Sequence, residues 1–282
     1  MNPPQSIGIL APNRTQECVR ALQEFAEECA DYGLNAYEIG PHSSAVSAMG
    51  EPDLLLCFGG DGTMLSQAAE AARKGIVLAG VNLGHLGFLS ACSRDEIHLL
   101  ADALANGTFQ VEARTMLQAT RTGITGEERP VHSHIALNEL ALMRAQSGRM
   151  IDVDVQVNGE LLNRYHSDGV LVATPTGSTA YSLAAGGPLV WPTANVLCIT
   201  PICPHSLTIR TVVLPDDVVI TMQPRERRGR ASESTIFSLD GRSTHDIALN
   251  EALTIRKAAE PLRLLTLPSS DYSARLRAKL GW

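Results

Sequence analysis

Residues 53–63 read DLLLCFGGDGT, and residues 64–74 continue as MLSQAAEAARK. Positions 54–58 are apolar without interruption, the pattern of a strand covered on both faces, so 53–58 is expected to lie inside a parallel sheet. Gly59-Gly60-Asp61-Gly62-Thr63 stands at the carboxyl end of that strand, and the Ala-rich stretch 64–74 reads as a helix. Ligands of open α/β sheets bind at this position, because glycines let the backbone come close and a helix N-terminus offers free N–H donors. A carboxylate among those donors is an odd choice if anion binding were the only task. Asp61 fits a general base or a metal ligand, and it equally fits an N-cap on a tight turn. The five residues alone leave both readings open. The turn carries no P-loop lysine.

The same alternation extends on both sides. Residues 6–11 (SIGILA) read as a strand. Residues 15–32 read as a helix, with Val19, Leu22, Phe25, Ala26 and Cys29 on one stripe and Gly33 as its stop. Residues 35–39 read as a second strand and 40–44 as a loop. Residues 76–81 read as another strand, followed by NLGHLGF at 82–88. Residues 93–105 read as a helix with Ser93 as N-cap and Glu96 at the capping-box position. Strands alternating with helices imply a parallel sheet with helices on its faces. After Asn106-Gly107 helical patterns nearly vanish. The runs 108–122, 131–143, 150–157, 169–174, 196–200, 211–214, 218–222, 235–239 and 247–256 read as strands, with a hairpin signal at 157–160 (VNGE). Residues 272–280 are helical again. The expected fold is an α/β N-terminal domain over 1–107 and an all-β, sandwich-like domain over 108–262.

Aromatic residues make up only 4% of the 282, so the core must rest on Leu, Val, Ile and Ala. The net charge of −7 argues against a basic face for nucleic acid, and the basic run RERRGR at 225–230 reads as a solvated loop. An anionic substrate would need local backbone donors and a divalent cation, because the global field opposes it. Six cysteines without CxxC spacing read as reduced thiols. Residues 1–6 lack a charged segment followed by an apolar one, and no apolar run is long enough to span a bilayer. A cytoplasmic protein without membrane or nucleic-acid partners is expected.

Two further motifs carry chemistry. Asn138-Glu139 lies within an apolar stretch, HIALNELALMR at 134–144. A buried carboxylate needs hydrogen bonds, and an Asn–Glu pair suits ribose hydroxyls or an adenine amine; as an isolated dipeptide it reads as a strand end. Residues 168–188 read DGVLVATPTGSTAYSLAAGGP, a strand entering a hydroxyl-rich turn and a short helix. Such a turn can cradle a pyrophosphate, and Tyr181 can stack on a flat ring. His132 and His134 lack the further ligands of a zinc site. His85, Cys198 and Cys203 read as structural, and Trp191 and Trp282 as packing residues.

GGDGT at 59–63, NLGHLGFL at 82–89, Asn138-Glu139, the 168–188 segment and SSDYSARLRAKLGW at 269–282 occur together and in order. In this the chain resembles the NAD kinase family over essentially its whole length. GGDGT alone is shared with diacylglycerol-type lipid kinases and phosphofructokinases; the 168–188 motif is far more specific. The resemblance implies a phosphoryl transfer from ATP or polyphosphate to the 2′-hydroxyl of the adenosine ribose of NAD, with Mg²⁺ or another divalent cation. It implies a homodimer or homotetramer, and a C-terminal segment, 263–282, returning to the first domain. By the same resemblance Asp61 accepts the hydroxyl proton, with Gly62 beside it at the substrate. Gly59, Gly60, Gly62 and Thr63 face the donor's phosphates. Asn138 and Glu139 contact the nucleoside, and Thr179, Ala180, Tyr181, Ser182, Leu183 and Ala184 line the NAD site. Asp168 falls on an acidic residue that reaches a neighbouring subunit's ligand. Arg149 and His166 fall at substrate-contacting positions of variable type, and Phe88 near the adenine. Two positions depart from the common pattern: Ala184 replaces a serine, and Asp240-Gly241-Arg242 replaces Asp-Gly-Gln.

The rival readings are weaker. A lipid kinase would share GGDGT but would not need the 168–188 motif, and the chain shows no basic amphipathic helix. A non-catalytic NAD sensor would share the pocket without needing Asp61. A dehydrogenase would carry GxGxxG in its first βα turn, where this chain has LAPNRTQE at 10–17.

Overall fold

In a computed structural model the described residues are 2–39, 51–84, 87–123, 127–145, 149–225, 234–249 and 251–282, with the backbone alone at 128–134. His85, the side chains of His132 and His134, the loop at 40–44 and most of the 225–230 basic run lie outside them. The chain divides into two compact units, one of Met1–Ala113 with Leu262–Trp282, the other of Arg114–Pro261.

The first unit is built on strands β1 (Ile7–Leu10), β2 (Ala36–Ile39), β3 (Leu54–Phe58), β4 (Val77–Asn82), β5 (Cys92–Ser93) and β6 (Gln110–Arg114). Its helices are α1 (Gln16–Tyr32), α2 (Asp61–Lys74) and α3 (Ile97–Asn106). Strands β1, β2, β3 and β4 pair in parallel, and β3 is buried at all five positions. Thr15 caps α1 through its side chain, and Gly33 ends the helix in the left-handed region at φ 67°. The Glu96 carboxylate accepts from the Ser93 N–H and hydroxyl, each at 2.8 Å, as a capping box. One core packs α1 and α3 against the sheet through Phe25, Leu22, Leu100 and Leu104 over Leu54, Leu56 and Phe58. Next to the inward-facing Ala79 and Val81, Gly80 points to the opposite face, where a Cβ would sit 2.8 Å from the Met64 sulfur of α2.

The strand expected at 108–122 is two strands. β6 joins the first sheet, whereas β7 (Leu117–Thr122) belongs to the second unit. Apolar alternation continues across the break, so periodicity does not reveal where the chain changes partner. The first sheet also takes in β19 (Leu262–Thr266), which pairs in parallel with β4 and neighbours β6. A strand from the far end of the chain thus lies inside the sheet, and the closing helix α5 (Tyr272–Leu280) follows it. Trp191 and Trp282, expected to pack, are 55% and 71% exposed in the chain.

The second unit has two six-stranded sheets. One orders β11 (Glu160–Ser167), β10 (Ile151–Val157), β15 (Ile220–Arg225), β18 (Ala252–Lys257), β7 and β8 (Glu128–Ala136). The other orders β14 (Val212–Pro215), β13 (Val196–Ile202), β12 (Gly169–Ala173), β9 (Glu139–Arg144), β16 (Thr235–Leu239) and β17 (Ser243–Ile247). The observed pairings within both sheets are antiparallel. Alternate residues of both sheets, among them Val153, Val155 and Ile255 from one and Leu140, Val170 and Phe237 from the other, form a single core. That is a β-sandwich. The hairpin at 157–160 turns through Asn158 and Gly159, both at positive φ.

Phe25 is fully buried and meets Phe58 edge-on, with ring centroids 5.9 Å apart. Phe25→Ala is expected to lower the unfolding free energy of the first unit by roughly 3–5 kcal/mol, read from urea denaturation.

Candidate active site

In the first unit the GGDGT turn links β3 to α2. Gly60, extended at φ −84° and ψ −175°, is the N-cap, and Asp61 is the first helical residue. The N-cap reading of Asp61 is therefore corrected by one position, and its carboxylate serves elsewhere. It accepts from the Phe88 N–H at 2.9 Å and the Leu89 N–H at 3.1 Å. These donors follow Gly87, where a Cβ would stand 2.0 Å from Asp61 Oδ1. Only a residue without a side chain lets the carboxylate reach that peptide. The structure thus brings Asp61 and Phe88 together through hydrogen bonds from backbone to side chain between two motifs of the sequence, with Gly62 next to Asp61 in the chain. Thr63 is held in the turn by its N–H to the Gly60 carbonyl, 2.9 Å. A Cβ at Gly59 would collide with Thr63 Oγ1 at 2.5 Å, but one at Gly60 or Gly62 would meet no atom of the described residues within 4 Å. Gly59 is therefore required by packing.

In the second unit the strand expected at 131–143 is again two strands, β8 and β9, in different sheets. The chain crosses between them at Leu137 and Asn138, where its peptide groups lose their ladder partners. Buried N–H groups need acceptors, and Asp240 supplies them. Its carboxylate accepts from the N–H of Leu137 at 2.9 Å, of Asn138 at 2.7 Å and of Glu139 at 3.2 Å. Asp240 holds this position with a left-handed backbone, φ 50°. The carbonyls of the same corner are taken by Thr174, whose hydroxyl donates to Leu137 O at 2.5 Å and whose N–H donates to Asn138 O at 2.9 Å. The Pro-Thr-Gly-Ser-Thr turn sits directly on it: a Cβ at Gly177 would lie 2.1 Å from Asn138 O.

Glu139 is 6% exposed, and its Oε2 has no hydrogen-bond partner among the described residues. Burial, then the negative charge of Asp240, push its pKa up to about 7, against a hydrogen bond from the backbone of Tyr181. Asp240 is also raised, by burial, and its three N–H donors oppose that shift. Thr176 Oγ1 is a second buried oxygen without a partner. The corner and the turn on it therefore present two unfilled polar atoms.

The remaining residues of 176–184 form a 3₁₀ turn (Thr176–Thr179) and the short helix α4 (Tyr181–Ala184). Ser182 is fully buried and shares a hydrogen bond with Thr200 Oγ1 at 3.1 Å, a fold contact. The Thr179 hydroxyl donates to Thr176 O at 3.2 Å, while Tyr181 is 39% exposed. Ala180 and Leu183 are half-buried, and Ala184 is exposed. Asp168 pairs with Arg144, with contacts of 3.0 and 3.1 Å. His166 Nδ1 meets Asp152 Oδ1 at 2.7 Å, and its ring lies 5.5 Å from that of His205. Arg149 is exposed just before β10.

Asp240 and Thr174 were not singled out as site builders by their sequence. Asp240-Gly241 signals a turn, but nothing local says that the carboxylate reaches back by 101 to 103 positions. Among the described residues no three His, Cys, Asp or Glu side chains converge on a point that could hold a metal ion. With no such cluster among the described residues, no step below runs through a resident metal. No helix of the described residues is long and apolar enough to cross a membrane.

A carboxylate among glycines at the head of a sheet helix stands where ligands of open α/β sheets bind. Residues 12–109 match the ATP-NAD kinase N-terminal domain, and residues 137–267 the ATP-NAD kinase C-terminal domain. An NAD kinase of Sulfurimonas denitrificans is 37% identical over 232 residues, 82% of this chain and 78% of that one. The fold is shared with a yeast NADH kinase solved with NADH, at a TM-score of 0.85 and 24% identity over 100% of this chain and 89% of that one. It is shared also with an Archaeoglobus fulgidus NAD kinase solved with ATP, at 0.78 and 22% identity over 98% of each chain. The chain belongs to the NAD kinase family.

The Glu139 shift has a testable sign. Between the ordinary carboxylate pKa of 4.5 and about 7, the folded protein keeps a proton that the unfolded chain has released. Stability therefore falls as pH rises through that window and levels off above it. Glu139→Gln, which carries no such charge, is expected to match wild type near pH 4.5 and to be more stable by roughly 3 kcal/mol at pH 8. Urea denaturation at both pH values checks this; a variant destabilised at pH 8 contradicts it.

Proposed function

We propose that this chain transfers the terminal phosphoryl group of ATP, or of polyphosphate, to the 2′-hydroxyl of the adenosine ribose of NAD, giving NADP. The observation that carries the reading is the Asp61 carboxylate, held by two peptide N–H groups at the head of α2. Each of its oxygens keeps lone-pair capacity beyond the one N–H it accepts. Asp61 takes the hydroxyl proton as the ribose oxygen bonds to phosphorus and the bond to the leaving phosphate breaks.

The other groups bind and orient. Gly59, Gly60, Gly62 and Thr63 offer the donor's phosphates a close approach at a helix N-terminus, where partial positive charge favours them. Asn138 and Glu139 hold the nucleoside, and Glu139 Oε2 and Thr176 Oγ1 are the unfilled polar atoms that a ligand would satisfy. Thr179 to Ala184, with Tyr181 as the exposed ring, line the NAD site; Phe88, Arg149, His166 and Asp168 complete it. A divalent cation, Mg²⁺ first, would come with the donor and would supply charge neutralisation at its phosphates. Transfers of this type run on positioning and charge, so the missing P-loop lysine is no obstacle. A homodimer or homotetramer in the cytoplasm belongs to the same reading.

The test is NADP formation from purified protein, NAD, ATP and Mg²⁺, with Asp61→Asn in parallel. Wild type is expected to turn over, and Asp61→Asn to lose about 10²–10⁴-fold in kcat while NAD affinity by calorimetry stays within a few-fold. Near-normal kcat in the variant would remove Asp61 as the proton acceptor. Wild-type protein that binds NAD yet makes no NADP from either donor would point to a sensor instead.

A further inference from the structure

The segment after the NLGHLGF loop is gripped from two sides. Asp61 takes its N–H groups at Phe88 and Leu89. Arg275, on α5, takes its carbonyls. Nη1 donates to Ser90 O at 2.6 Å and to Phe88 O at 3.4 Å; Nη2 donates to Ala91 O at 3.5 Å and to Ser270 Oγ at 3.1 Å. The Phe88 carbonyl and the Leu89 N–H belong to one planar peptide group. That group has Arg275 at one end and Asp61 at the other. Tyr272, one turn earlier on α5, brings its ring to 6.1 Å from that of Phe88. Asp271 fixes the start of this helix by accepting the Ser273 N–H at 2.8 Å.

Arg275 is only 9% exposed. A guanidinium is costly to bury, and an apolar side chain would dock a helix at less expense. Its planar fork is suited to one task here, satisfying several carbonyls that converge on one point. Those carbonyls belong to the segment whose opposite edge orients Asp61. Peptide groups that donate at one end while accepting at the other polarise one another, so each grip strengthens its neighbour.

We propose that Arg275 is a positioning residue for phosphoryl transfer: it holds residues 88–91 so that their N–H groups aim the Asp61 carboxylate. This role rests on the reading of Asp61 as proton acceptor. Loss of the guanidinium leaves buried carbonyls unsatisfied and lets the segment move. A shift of the acceptor of about 1 Å is enough to cost on the order of 100-fold in rate.

The experiment compares wild type, Arg275→Gln and Arg275→Lys by steady-state kinetics and by amide hydrogen exchange read by NMR. Arg275→Gln is expected to lose roughly 10–100-fold in kcat with both KM values within about threefold. Its Phe88 and Leu89 amides should exchange at least about tenfold faster, while those of β3 keep wild-type rates. Arg275→Lys, which keeps the charge but not the fork, should lie between. A folded Arg275→Gln with wild-type kcat and wild-type exchange at 88–89 overturns the proposal, as does a loss confined to KM. If Arg275→Gln does not fold, Arg275→Lys decides: reduced kcat with faster exchange at 88–89 supports the role, and wild-type values of both overturn it. Asp61→Asn separates the two readings. Normal turnover there defeats the acceptor reading, whereas a dead Asp61→Asn beside a fully active Arg275→Gln defeats only the role of Arg275.

Discussion

Asp61 accepts two consecutive peptide N–H groups, at 88–89, and Asp240 accepts three, at 137–139. Both carboxylates solve one problem. Where a chain leaves a sheet or crosses between sheets, its N–H groups lose their ladder partners, and a buried donor without an acceptor costs roughly 1–3 kcal/mol. A short acidic side chain from a distant segment repairs the loss and in doing so fixes that segment. Each compact unit therefore has a polar corner held by an aspartate, and Asp61, Phe88, Asn138 and Glu139 lie at those two corners.

Charge differentiates the two corners. Glu139 is buried beside Asp240; burial, then the neighbouring charge, move Glu139 to about 7. Asp240 is better supplied, with three N–H donors to set against its own burial. The pair thus divides its roles. Asp240 is a structural acceptor, and Glu139 is a group whose proton is available near neutrality and whose Oε2 has no hydrogen-bond partner among the described residues. A protonated carboxyl group can donate as well as accept toward a nucleoside, whereas an ionised glutamate can only accept.

Much of this was legible in the sequence, and the illegible part has a common cause. The buried strand at 54–58, the stop at Gly33, the cap at Ser93 and the late helix at 272–280 follow from local periodicity and capping chemistry. Residues 108–122 and 131–143 each read as one strand because both halves of each run carry apolar alternation, whichever sheet receives them. Periodicity tells which side chains are buried, not which backbone they pair with. For the same reason Asp240 and Arg275 were invisible as site builders. Their partners are peptide groups, which carry no residue identity, so no motif can announce them.

The glycines sort by the same logic. At Gly87 and Gly177 a Cβ would strike a carboxylate or a carbonyl, so those positions are demanded by the corners already described. Gly59 is demanded by Thr63 in the same way. Gly60 and Gly62 differ: neither is in the left-handed region, and a Cβ at either would meet no atom of the described residues within 4 Å. Gly60 is the N-cap of the helix, a position that favours glycine, whereas glycine inside the first turn carries an entropic cost. A bare backbone at a helix N-terminus suits the close approach of a phosphate. GGDGT thus combines Gly59 and Thr63, which shape the turn, with Gly60, which caps the helix that carries Asp61.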